Sequence, residues 1–172
     1  AKLVAWETIY SRYTGKEYDL SHVAVSPKRD GFDRLIVIPA GITNMELWEC
    51  LKKLMPRYSY YAELNSVTSV RSTNATYAVW VRDRVEADEE WKNVSANDLQ
   101  KRNVNGITLT ERLAYELAYF SETSSLNKQD DKHLDVTNWT LCSGSRHRDG
   151  FVPCVGWCSG ELYVRWYNPR HG

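Results

Sequence analysis

The chain has 172 residues, with 22 Lys plus Arg balanced by 22 Asp plus Glu, and it carries 7 Trp and 11 Tyr. That length suffices for a proper core, so residues 1–172 are read as one domain. Zero net charge argues against a protein whose main work is gripping a phosphate backbone, which needs a basic field; no nucleic-acid partner is expected.

In chain order, Trp6, Ile9, Tyr10 and Tyr13 are spaced like one face of a short helix. Ser26-Pro27 and Asp30-Gly31 are breakers. The run Arg34-Leu35-Ile36-Val37-Ile38 predicts a buried strand, closed by Pro39 and Gly41. Thr43-Asn44-Met45-Glu46 has capping-box spacing and opens a helix carrying Leu47, Trp48, Leu51, Leu54 and Met55, which Pro56 stops. A strand is expected around 58–62, then a loop over 63–75, then a β-prone run over 76–85. The charged stretch Arg82, Asp83, Arg84, Glu86, Asp88, Glu89, Glu90 reads as a loop with local ion pairs rather than a metal cluster, because no His or Cys joins it. Ser95 caps a short helix ending near Asn105-Gly106. Thr108-Leu109-Thr110-Glu111 is a second capping box, opening the best helix, through about Ser121, with Leu109, Leu113, Leu117 and Phe120 down one face. Residues 121–135 read as a polar connector.

The C-terminal stretch alternates. Val155, Trp157, Leu162, Val164 and Trp166 form an apolar set; Gly156, Cys158, Tyr163, Arg165 and Tyr167 form the other. Side chains of a strand point alternately to its two faces, so this reads as two strands joined by a Ser159-Gly160 turn, apolar side inward. A solvated strand face would carry Lys, Glu and Thr. A face of Tyr, Arg and small residues is closer to a binding surface.

No apolar run approaches the roughly 20 residues needed to cross a bilayer, and the polar N-terminus lacks the apolar core of a signal peptide. Asn74, Asn93 and Asn138 are glycan acceptors only in a eukaryotic secretory context. The four cysteines do not form a small disulfide scaffold, so reduced thiols and a cytoplasmic location are expected.

Four groupings of residues bear on chemistry. Cys142, His147 and Asp149 could supply a thiol nucleophile with an oriented base, but a loop this tight rarely aligns a triad. Cys154, Cys158 and His147, with His133 as a fourth, fall short of a tied zinc ligand set. A Cys154–Cys158 disulfide would need a sharp turn that strand alternation opposes. Ser143-Gly144-Ser145 reads as a tight turn, not a phosphate loop. No cofactor, no metal and no catalytic residue is expected.

The segment SGSRxxDGxVPxVxWxxGxLxVxWxxP resembles the C-terminal variable region of proteins diversified by diversity-generating retroelements. There a reverse transcriptase miscopies template adenines, so that some codons vary while those between stay fixed. YAVWVRDRVEADEEWKNVSA, TLTERLAYELAYFSET and HLDVTNWTLCSGSR share the likeness, which covers about residues 32–170 and is most specific over 139–170. Members usually continue into a basic tail containing Leu-Arg-Ser-Arg, and this sequence stops at His171-Gly172 before one. The resemblance implies an α+β, C-type lectin-like domain: helices packed on a small irregular antiparallel sheet, with a variable region over about 146–172. It implies a non-enzymatic, ligand-binding protein whose partner is another protein. His147, Arg148, Phe151, Cys154, Gly156, Cys158, Ser159, Tyr163, Arg165 and Tyr167 match the variable positions. Two alternatives stand beside it: a hydrolase using Cys142 or His147, and a phage or cell-surface receptor-binding subunit.

Overall fold

A computed structural model describes residues 1–59 and 63–172, the side chains of 57–59 excepted. The fold is α+β. The helices are α1 (Lys2–Thr14), α2 (Asn44–Lys52), α3 (Ala96–Lys101) and α4 (Leu109–Thr123). The strands are β1 (Arg34–Ile38), β2 (Arg57–Ser59), β3 (Thr68–Ser69), β4 (Tyr77–Val81), β5 (Thr140–Leu141), β6 (Ser145–Arg146), β7 (Val152–Cys158) and β8 (Glu161–Tyr167). They form two antiparallel pairs, β1-β4 and β3-β6, and a sheet ordered β2-β8-β7-β5. The last was expected to be antiparallel throughout. It is mixed, because β2 runs parallel to β8, with Tyr58 level with Tyr163.

The central element is α4. Thr108 Oγ1 accepts from the Glu111 amide at 3.2 Å and Glu111 Oε1 accepts from the Thr108 amide at 3.1 Å, so the predicted capping box is complete. Ser145 Oγ takes the next open amide, that of Leu109, at 2.9 Å. Leu109, Leu113 and Leu117 are wholly buried as their spacing requires, but so are Glu111, Arg112 and Glu116. Neighbours therefore cover the helix on its polar side too, and each charge there needs a partner. Glu111 finds Arg71 at 2.7 and 2.9 Å and the Tyr77 hydroxyl at 2.7 Å.

Helix α1 ends where Gly15 takes φ 72°, a left-handed cap suited to glycine. Its aromatic face lies along β1: Trp6 Nε1 donates to the Leu35 carbonyl at 3.0 Å and the Tyr10 hydroxyl to the Val37 carbonyl at 2.6 Å. Those contacts satisfy strand acceptors that would otherwise template pairing with another chain. One apolar cluster runs from Trp6 and Tyr10 through β1, α2 and α4 to Trp157, Leu162 and Val164.

Several local expectations change in detail. The Thr43 box is half made: Thr43 Oγ1 accepts from Glu46 N at 3.1 Å, while the Glu46 carboxylate turns to Lys16 at 3.3 Å. Helix α2 ends at Lys52, before Pro56. Of the strand expected around 58–62, Tyr58 and Ser59 lie in β2, and residues 60–62 lie outside the described residues. The 63–75 loop contains a 3-10 turn at Leu64–Ser66 with Leu64 fully buried, and β3. The short helix after Ser95 stops at Lys101 rather than near Asn105. The charged 82–90 stretch forms local pairs as expected, Arg82–Asp88 and Arg84–Glu90, both 2.6 Å. Glu86 does more: it accepts from the amides of Val136, Thr137 and Asn138 at 3.0, 3.1 and 2.7 Å and so ties this loop to the segment leading into β5. No helix among the described residues is long and apolar enough to cross a membrane.

Candidate functional site

Strands β7 and β8 form the predicted hairpin. Cys158 pairs with Glu161, and Ser159 and Gly160 both take positive φ, 52° and 79°, the conformation that suits a tight two-residue hairpin turn. On the inner side Val155, Trp157, Leu162 and Val164 are buried, and Trp166 is half-buried rather than enclosed.

On the outer side the ten candidates separate into three groups. Arg148, Phe151, Cys158, Ser159 and Tyr167 are exposed, and Tyr163 and Arg165 half-exposed. His147, Cys154 and Gly156 are buried. The expectation that all ten face solvent is therefore corrected for these three. Alternation reports which side of a strand a residue takes, not whether that side is open. Cys154 and Gly156 are small residues on a central strand, flanked in register by Arg165 and Leu141 and by Tyr163 respectively. Larger neighbours close over them. His147 lies below the turn it opens, with its amide donating to the Phe151 carbonyl and its ring edge-on to Trp166 at 4.9 Å.

Trp139 was not among the candidates, and it belongs to the site. Residue 139 precedes β5 and falls opposite Gly156. A Cβ built on Gly156 would lie 2.8 Å from two atoms of the Trp139 ring, closer than real contacts allow. A glycine inside a strand often marks such an approach, and that was the available signal. Across the strand, the Arg165 guanidinium carbon sits 4.7 Å from the Trp139 ring and 4.7 Å from the Tyr163 ring, which are 6.2 Å apart. The outer face therefore holds an oriented arginine in an aromatic notch, with Tyr167 further along β8 and Arg148 and Phe151 on the adjoining loop.

Beneath the hairpin lies a buried polar cluster. Arg112 Nη1 meets Glu116 Oε2 at 2.8 Å, and its Nη2 lies 3.1 Å from Asp135 Oδ2. Glu116 Oε1 is 2.8 Å from His133 Nδ1, and Thr140 Oγ1 donates to Asp135 Oδ2 at 2.5 Å. Burial pushes the Asp135 carboxyl up, and Arg112 opposes that rise. The cluster joins α4, the connector and β5 directly below the displayed strands. The end of the polar 121–135 connector, His133-Leu134-Asp135, is interior.

The triad is not assembled. Asp149 Oδ1 does lie 3.1 Å from His147 Nδ1, but the Cys142 thiol turns to the Thr140 carbonyl, at 3.9 Å. Burial pushes that thiol well above its ordinary range, which disfavours the thiolate a nucleophile needs. All four cysteines are free; Cys154 is buried and Cys158 exposed, and no cluster of metal-binding side chains occurs among the described residues. Ser143-Gly144 forms a turn, held where the Gly144 amide donates to the Ile107 carbonyl at 3.0 Å. No family model, no curated protein and no solved structure matches this chain.

Proposed function

We propose that this chain is a non-enzymatic, receptor-type binding protein with a C-type lectin-like arrangement, whose displayed β7–β8 face is diversified by a retroelement reverse transcriptase and takes another protein as ligand. The observation that carries this reading is the division of labour along β8: Leu162 and Val164 are wholly buried, while Tyr163, Arg165 and Tyr167 between and beyond them reach the surface. Contact residues thus hang on a framework that does not need them to fold, as in other loop- or strand-borne paratopes. Tyrosine and phenylalanine bring contact area at small entropic cost, and arginine adds directed hydrogen bonds. Four helices with short, mostly antiparallel strands are compatible with the fold proposed.

The test is a displayed library randomised together at 148, 151, 158, 159, 163, 165 and 167. Most members should melt close to the parent, and selection against a panel of folded proteins should yield binders. A library whose members mostly fail to fold would overturn the reading. Sequencing the DNA beside the gene gives an independent check. The expected find is a reverse transcriptase and a near-copy of the 139–172 coding segment that differs at the copy's adenines.

A further inference from the structure

Arg165 stands apart from the other arginines that are buried or half-buried among the described residues. Arg34 pairs with Asp83 and Glu122, Arg71 with Glu111, Arg82 with Asp88, and Arg112 with Glu116 and Asp135. Arg146 donates to the carbonyls of Ser143 and Ser145. Arg165 instead lies against two rings, Trp139 and Tyr163, and its Nε is buried with no hydrogen-bond partner among the described residues. Stacking occupies the flat face of a guanidinium and leaves its in-plane donors unspent. The buried Nε is closed to an incoming group, so the donors of this half-exposed side chain left open to an acceptor are those of its two Nη atoms. The fork of donors matches the two oxygens of a carboxylate.

The surrounding charge points the same way. Residues 146–172 contain four arginines, no lysine and two carboxylates, in a chain that is neutral overall. The face is locally positive without the broad basic field that nucleic acid requires.

We propose that the Trp139–Arg165–Tyr163 notch is the subsite for an Asp or Glu side chain on an acidic protein surface. This rests on the reading of the face as a protein-binding one and names the chemistry of its partner. Arg165 holds the carboxylate by two parallel hydrogen bonds, and the flanking rings keep water from them.

The test titrates the whole chain with an oligoglutamate peptide while following the Arg165 Nε–Hε NMR signal, identified by its loss in Arg165→Lys. That signal should shift and saturate. Affinity should fall about tenfold or more in Arg165→Lys, which keeps the charge and loses the fork. Trp139→Phe should weaken binding too, whereas Arg12→Gln on α1 should not. Thermal melts matching the parent establish that both notch variants are folded. An unmoved Arg165 signal overturns the proposal, as does binding that Arg165→Lys leaves intact. Equal saturation by inorganic phosphate or oligothymidylate overturns it as well. A silent titration beside a library that folds and yields binders rejects the acidic partner alone. A library that does not fold rejects the binding-face reading.

Discussion

Trp157 lies flat on His133, with ring centroids 3.5 Å apart and planes 9° from parallel. The same indole donates to Asp130 Oδ1 at 2.8 Å, and the Trp157 amide donates to the Asp135 carbonyl at 3.0 Å. One residue thus fastens the displayed hairpin to the connector and, through His133 and Glu116, to α4. Trp157→Ala is expected to cost about 3–5 kcal/mol. Trp166 is only half-buried, so Trp166→Ala should cost less, about 1–3 kcal/mol. Urea melts of the two variants check the ranking, which alternation alone would make equal.

The Arg112–Glu116–Asp135 cluster should behave as a unit. Removing one member strands a buried charge, so Arg112→Met or Glu116→Gln alone should lose about 3–5 kcal/mol. Replacing Arg112, Glu116 and Asp135 together by apolar residues of similar volume should lose less than the sum of the single changes. Chemical-denaturation cycles over the single and combined variants measure that coupling.

Thiol chemistry separates the cysteines. Burial pushes the Cys154 thiol up to about 11, and raises those of Cys50 and Cys142 as well. Iodoacetamide at neutral pH should modify exposed Cys158 first and reach the others chiefly through unfolding; fast labelling of Cys142 would restore the hydrolase alternative. The pH dependence follows by linkage. For Cys154 the folded pKa is above the unfolded value of about 8.5, so its contribution is whole below that pH and is lost as pH rises toward 11. Native stability should therefore fall above about pH 9, by up to about 1.4 kcal/mol per pH unit for each such thiol. In Cys154→Ala the fall should be shallower, read from urea midpoints at neutral and alkaline pH.

Gly156 matches a variable position, yet any side chain there meets Trp139. Gly156→Ala should either cost about 1–3 kcal/mol by overpacking or drive the indole out of its place. The first outcome appears in a melt. The second appears as a fluorescence change that is absent when the same substitution is made in a Trp139→Phe background.

What could be read without coordinates was local and periodic. The Thr108–Glu111 box, the apolar face of α4, the β1 run, and the alternation and turn of β7–β8 depend on residues a few positions apart, whose spacing dictates a cap, a helix face or a strand face. Tertiary structure decided what lies against each face. Trp139 closes over Gly156, and Arg165 and Leu141 over Cys154, because β7 is an interior strand with larger neighbours on both sides. Arg112, Glu116, His133 and Asp135 look like ordinary surface residues one by one. They are buried because the chain returns after α4 and sets the connector over its polar side, where each charge finds an opposite one. Periodicity carries no record of such a return, since it encodes the direction of a side chain and not the identity of what it meets.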